Sequence, residues 1–270
     1  MFAAYMHSVR EAINKRMALV LIGMAVFFAV LFYFIVKVAP VQPKEMSMVF
    51  LGKHMLGPAS LAVPAAMSAE VSITGGLWLF LAIFASVPLL VSALEKGWVE
   101  LTLTKGVARW KVLLGCYFSG LTLYVATLCV AMVPTALWLW MKTGVSCKAL
   151  LVGILIETLG FAALMSLAVF ASLTRTGASL PIMLAIFVDI LAPVLASREQ
   201  GLFTFVTSSW GRGILNFTYK VLPKSSELVG AATGYIQFGS IKDWFPFWTT
   251  GLFTVVVLGI SIWMLHRKNL

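Results

Sequence analysis

The chain has 270 residues, of which 61% are apolar and 11% charged, and its mean hydropathy is +0.98. Soluble domains carry about 45–50% apolar and about 25% charged residues, so this chain cannot clothe a water-facing surface, and a soluble enzyme, a secreted domain and a disordered tail are excluded. The net charge of +10, from 20 Lys and Arg against 10 Asp and Glu, does not indicate nucleic acid: the densest basic group, Lys105, Arg109 and Lys111, is wedged between apolar runs, where inner-face bias and anionic lipid account for it.

A spanning helix needs about 20 largely apolar residues, because a rise of about 1.5 Å per residue must cover about 30 Å of hydrocarbon. Over 1–16, Phe2, Tyr5, Met6, Val9 and Ile13 recur at helical spacing among Arg10, Glu11, Lys15 and Arg16. That pattern predicts an interfacial helix with its apolar side toward the membrane. The first span is predicted at 17–36. It exceeds the 7–15 residues, roughly, of a signal h-region and is expected to persist as an uncleaved helix. A loop is expected over 37–76, followed by spans at 77–94, 112–140, 149–173 and 180–197. A second long loop covers 198–246, and the last span covers 247–265.

Pro88, Pro134 and Pro193 are kink candidates within their spans. In the second loop, Ile214, Phe217 and Val221 predict a short amphipathic helix on the outer interface, ended by Pro223. Trp210, Tyr219, Trp244 and Trp248 suit the headgroup belt. The expected architecture is a single all-α, polytopic membrane domain with six transmembrane helices.

With the N-terminus inside, the basic residues divide ten against ten between the two sides. The inner ten sit in short segments beside helix ends, where the positive-inside bias operates, whereas most outer ones lie in the two long loops. Both termini are therefore expected to be cytoplasmic.

Cys116, Cys129 and Cys147 form no C-x-x-C or Cys/His spacing, so neither a disulfide framework nor a zinc site is expected. Met46, Met48, His54 and Met55 in the first loop are soft donors of the kind Cu(I) takes. In a chain with 13 Met such grouping also arises by chance, and no metal site is assigned. No catalytic residue is assigned either, because His7 and His266 lie near the ends of the chain, away from any hydrolase constellation.

Glu157 and Asp189 fall near the middle of the fourth and fifth spans. A carboxylate at that depth costs about 2.5–3.5 kcal/mol on insertion scales, so it faces a cavity or a partner. No Lys or Arg stands at matching depth in any span. Two readings stay open: a contact for a cation, a proton or a substrate headgroup, or a protonated or hydrogen-bonded acid that holds helices together.

The segment after the second span runs Leu94-Glu-Lys-Gly-Trp-Val-Glu-Leu-Thr-Leu-Thr-Lys-Gly-Val-Ala-Arg-Trp-Lys-Val-Leu-Leu-Gly115. It alternates acids, bases and apolar residues, too polar for burial in lipid and too apolar for a plain connector. A short helix of this composition can dock in a groove on a partner domain. The segment resembles the loop after the second span of ABC-2 type permeases, the membrane subunits of ATP-binding-cassette exporters, which reads E-x-G-T-L-E-L-L-L-(S/T)-x-P-V-S-R-x-x-(I/L)-L-L-G-K. Glu95, Gly97, Glu100, Leu101, Leu103, Thr104, Val107, Arg109, Leu113, Leu114 and Gly115 match it. Trp98 replaces the family's threonine, Gly106 its proline and Cys116 its final lysine. Tyr219-Lys-Val-Leu-Pro-Lys-Ser also resembles the family's L-L-P-x-(N/S) region before the last span.

The resemblance implies a non-catalytic permease subunit in the bacterial cytoplasmic membrane. It further implies that Glu95, Gly97, Trp98, Glu100, Arg109 and Trp110 form a coupling helix seated on a separate cytoplasmic ABC ATPase subunit. ATP and Mg would be held by that partner and no cofactor by this chain, which has no G-x-x-x-x-G-K-(S/T) phosphate loop. A second permease subunit, membrane lipids and extracytoplasmic accessory proteins are the other partners the resemblance allows; nucleic acid is not among them. From the residues alone, a secondary transporter or channel working through Glu157 and Asp189, or a membrane anchor for a larger assembly, are the alternatives.

Overall fold

A backbone in hydrocarbon has no water to bond, so each long apolar run must close its own hydrogen bonds as a helix. The computed structural model describes residues 2–14, 16–35, 37–42, 45–50, 53–57, 59–93, 108–174, 177–199, 201–206 and 208–267. Helices α1 (Phe2–Asn14) and α2 (Met17–Ile35) lead into three strands, β1 (Lys37–Gln42), β2 (Glu45–Phe50) and β3 (Lys53–Gly57). Then come α3 (Ala59–Ala93), α4 (Arg109–Thr143), α5 (Lys148–Ser172) and α6 (Ser179–Ala196). After these follow α7 (Leu202–Phe205), α8 (Ser209–Val221), α9 (Ser225–Phe238) and α10 (Phe245–Arg267). Six of them, α2, α3, α4, α5, α6 and α10, are long and apolar enough to cross a membrane. The chain is a multi-pass, all-α membrane protein, with one small sheet outside the bundle.

Helix α5 is the centre of the bundle and packs against α3, α4, α6, α9 and α10. Lipid tails are as apolar as leucine, so close van der Waals packing, more than burial from water, holds such helices together. The buried side of α5 is accordingly rich in small residues: Gly153, Gly160, Ala162, Ala163, Ala168 and Ala171. Trp78 of α3 is fully buried and donates through Nε1 to Thr127 of α4 at 3.1 Å. Phe28 of α2 meets its ring edge-on at 5.5 Å.

Local signals set several boundaries. Arg16 adopts a left-handed backbone, φ 58°, which separates α1 from α2. Gly144 ends α4 at φ 68°, its N–H donating to Trp140 O at 2.7 Å, the left-handed cap that glycine allows. The strands form an antiparallel meander in the order β1-β2-β3. Pro40 sits on the edge strand, beside a register irregularity, where a missing N–H is tolerated.

Two predicted boundaries are corrected. The second span was expected at 77–94 behind a loop over 37–76, yet α3 begins at Ala59 and is 35 residues long. Its N-terminal half carries Ser68, Glu70 and Thr74, which read as loop residues. Other helices supply partners inside the bundle: Gln237 Nε2 donates to Ser68 Oγ at 2.6 Å, and Thr135 Oγ1 donates to Glu70 Oε1 at 2.7 Å. At about 1.5 Å per residue α3 is about 52 Å long, so it tilts within the hydrocarbon or extends beyond it.

The stretch 198–246, expected to be an external loop, holds α9, which inserts against α3, α5 and α6. Ser225, Leu228, Ala232 and Ile236 form its buried side. The amphipathic helix predicted around Ile214, Phe217 and Val221 is α8, which ends before Pro223. All three of those side chains are exposed, as a lipid-facing stripe requires.

Helix α1 is present. Ile13 is 51% exposed, as a membrane-facing residue requires, whereas Ser8 and Ala12 are buried. Small side chains let α1 lie close on α4, where Ser8 Oγ reaches Cys116 Sγ at 3.4 Å.

Candidate functional site

Glu95, Gly97, Trp98 and Glu100 lie outside the described residues, as does the side chain of Arg109. What is described are the flanks of that segment. Trp110, at the start of α4, is exposed, with Lys111 Nζ 5.5 Å from its ring centroid. At the end of α3, Ser92 Oγ donates to Glu11 Oε1 at 2.8 Å. Helix α1 is therefore tied to both helices that bracket the segment, to α3 through Glu11 and to α4 through Ser8. Arg10 and Arg16 are exposed, and Lys15 lies outside the described residues.

The second constellation is inside the bundle. Glu157, on α5, is 2% exposed, and neither carboxyl oxygen has a hydrogen-bond partner among the described residues. Its Oε1 lies so close to Gly75 of α3 that a Cβ at that position would stand 2.9 Å from it and 2.8 Å from Val229 Cγ2 on α9. Only glycine leaves room there for the carboxyl and the inserted helix together. Asp189, on α6, accepts from Ser225 Oγ of α9 at 2.6 Å.

Glu70 is a third member that sequence reading missed, since it fell in the predicted first loop. It is buried, and Thr135 binds its Oε1 while Oε2 has no partner among the described residues. An acid at i, i+4 with Thr74 in an otherwise apolar run was the available signal, obscured by the neighbouring small and polar residues. Tyr124 of α4 completes the group. Its hydroxyl is wholly buried without a partner among the described residues, and its ring stacks on Phe161 with centroids 4.2 Å apart.

No ion pair reaches the three carboxyls among the described residues. Nor do they converge tightly: among the described residues no three His, Cys, Asp or Glu side chains are placed to hold a metal ion. Met46 and Met48 lie on β2 and His54 and Met55 on β3; Met48 stands opposite Met55, while Met46 faces Gly57 and His54 faces Val49 in the register, and their side chains are outside what the structure describes.

A polar cluster where the C-terminal ends of α6 and α8 meet the N-terminal end of α9 was also not anticipated, beyond Tyr219 as a belt residue. Arg198 Nε donates to Asn216 Oδ1 at 2.9 Å, and its guanidinium stacks 3.5 Å from the Tyr219 ring centroid. The Tyr219 hydroxyl donates to Glu227 Oε1 at 2.6 Å. Burial first, then the hydrogen bond and charge of Glu227, push the phenol up to about 12. Lys224, 3% exposed, donates to Thr249 Oγ1 at 3.0 Å and lies over the Tyr219 and Phe245 rings. Burial holds its ammonium below the ordinary lysine range, with Glu227 opposing that shift and Arg198 adding to it. An open groove of about 580 Å³, lined by Pro193, Arg198, Glu199, Tyr219, Ser226 and Glu227, leads outward from this cluster.

The chain matches no family model and no curated protein.

Proposed function

We propose that the chain is the membrane-spanning permease subunit of an ABC-2 type exporter in the bacterial cytoplasmic membrane, with both termini cytoplasmic. It is paired with a second permease subunit and surrounded by lipid. Separate ATP-hydrolysing subunits, which hold ATP and Mg, sit beneath it. The chain itself is non-catalytic.

The observation that carries this reading is where the ABC-2-like segment falls. It joins the end of α3 to the start of α4, and α1 is bonded to both through Glu11–Ser92 and Ser8–Cys116. A push on Glu95, Glu100 and Arg109 from a closing ATPase pair is then received by three helices together. ATP can drive the cycle only through a difference in the partner's affinity for the inward- and outward-facing states. The loop is the surface where that difference acts.

Co-purification of a cytoplasmic ATPase with the tagged chain tests the assembly. Arg109→Glu reverses the charge at the start of α4 and is expected to abolish stimulated ATPase activity and transport while leaving the fold intact. Unchanged coupling in that variant, or flux driven by an ion gradient without ATP, overturns the reading.

A further inference from the structure

The carboxyl of Glu157 has no structural explanation as a helix clamp. It is 2% exposed yet bonds to nothing described, and a Cβ on Gly75 of α3 would stand 2.9 Å from its Oε1. A structural acid would be expected to resemble Asp189 or Glu70, each held by a hydroxyl from a neighbouring helix. Burying a polar group without a hydrogen bond costs about 1–3 kcal/mol by protein mutational data, and an isolated charge far more. Neither cost is recovered at this position by any described contact.

A second side chain is in the same condition. The Tyr124 hydroxyl of α4 is wholly buried and unpartnered among the described residues, and its ring stacks on Phe161, one helical turn along α5 from Glu157.

We propose that Glu157 is an intramembrane proton-binding site, enclosed where α5 meets Gly75 of α3 and Val229 of α9. The ligand is a single proton, taken up by the Glu157 carboxylate and returned from the carboxylic acid, so no other bond is made or broken. A proton fits this place better than a metal ion does. Among the described residues no group of three or more His, Cys, Asp or Glu side chains is placed to hold a metal ion.

The helices packed on α5 carry few other titrating groups in their apolar interior: Glu70 on α3, Tyr124 on α4 and Asp189 on α6. Tyr117 of α4 is committed to Ala162 O at 3.0 Å. Helix α9 turns Val229 toward the site and engages Glu227 with Tyr219 instead. Helix α10 carries no ionisable side chain before His266. The site is independent of the ATPase assignment: it stands on the geometry of the bundle and would serve an ATP-driven or a gradient-driven transporter alike.

Infrared spectroscopy of the full chain in lipid films, with buffer exchanged over the film, tests it without cargo or ATPase. The carbonyl stretch of a protonated carboxyl stands clear of the amide bands. The expected result is such a band in the wild type that disappears as pH rises from about 5 to about 10 and shifts in deuterated buffer. In a Glu70→Gln background, which removes the overlapping band of the other buried glutamate, Glu157→Gln removes the band and Glu157→Asp restores one. A band that survives Glu157→Gln unchanged in that background overturns the assignment, as does one that ignores pH across that range. Loss of the band on adding sodium or potassium at constant pH also overturns it and assigns the site to a cation instead.

Discussion

Thr135 on α4 donates to Glu70 on α3 across a sequence separation of 65 residues, at 2.7 Å and in full burial. The bond secures the half of α3 that carries loop-like residues. Thr135→Val keeps the side-chain shape and removes the donor, leaving both Glu70 oxygens unpartnered. Interhelical hydrogen bonds in membranes average about 0.6 kcal/mol, but an orphaned buried acceptor costs about 1–3 kcal/mol. Because Oε2 already lacks a partner, the higher range applies. The variant is expected to lose about 1–2 kcal/mol, measured by thermal or denaturant unfolding in detergent, and Thr135→Ser to recover most of it.

Gly75 is where α3, α5 and α9 come closest. A methyl there meets Val229 Cγ2 at 2.8 Å and Glu157 Oε1 at 2.9 Å, well inside contact distance. Overpacking of this kind costs about 1–3 kcal/mol. Gly75→Ala is therefore expected to destabilise the fold and loosen α9, read as faster proteolysis at residues 222–224 or 239–244. The double variant Gly75→Ala, Val229→Ala should recover much of the loss, because it clears the nearest methyl. Equal stability of Gly75→Ala and wild type would contradict the inserted position of α9.

Cys147 lies in the short turn between α4 and α5, half-buried, with its Sγ donating to Val145 O at 3.4 Å. Burial and, after it, the charge of Glu70 hold its thiol above the ordinary value. A raised thiol pKa means less thiolate at a given pH, and thiolate is the reacting species. A membrane-impermeant maleimide is expected to label Cys147 from the side opposite the termini, more slowly than an exposed cysteine at pH about 8, and faster as pH rises. Labelling of Cys147 from the terminal side would reverse the proposed orientation.

Lys224 gives a stability signature with a definite sign. Its folded value is depressed from 10.5, chiefly by burial. Well below the folded value the ammonium is charged in both states, and the burial cost is present in full. Between the folded value and 10.5 only the unfolded state keeps the proton, so the cost shrinks as pH rises. The melting temperature of wild type relative to Lys224→Met is expected to climb as the buffer approaches that ordinary value from below. A difference that stays flat or falls would contradict the burial of this lysine.

The residues that were legible early are those whose behaviour depends on near neighbours. The stripe of Ile214, Phe217 and Val221 marks α8 because three apolar side chains at helical spacing define one face without reference to anything distant. Pro223 ends it for an equally local reason. Glu157 and Asp189 stood out because any acid in an apolar run does. Glu70 did not, because its surroundings, Ser68, Ser72, Thr74 and Gly75, have the composition of a loop. Only Thr135 and Gln237, supplied by other helices, make that composition compatible with burial.

By itself the amino-acid sequence determined that this protein lives in a bilayer, and it located all six spans, because hydrophobic length is a sum over consecutive residues. Its coupling-segment resemblance is likewise a property of consecutive residues. The tertiary structure decided how far α3 extends, that α9 enters the bundle, and that Glu157 is buried with no hydrogen-bond partner among the described residues. Those outcomes depend on which helix supplies a donor and which leaves a gap. Such donors and gaps arise between residues that the chain separates by dozens of positions, where no local periodicity records them.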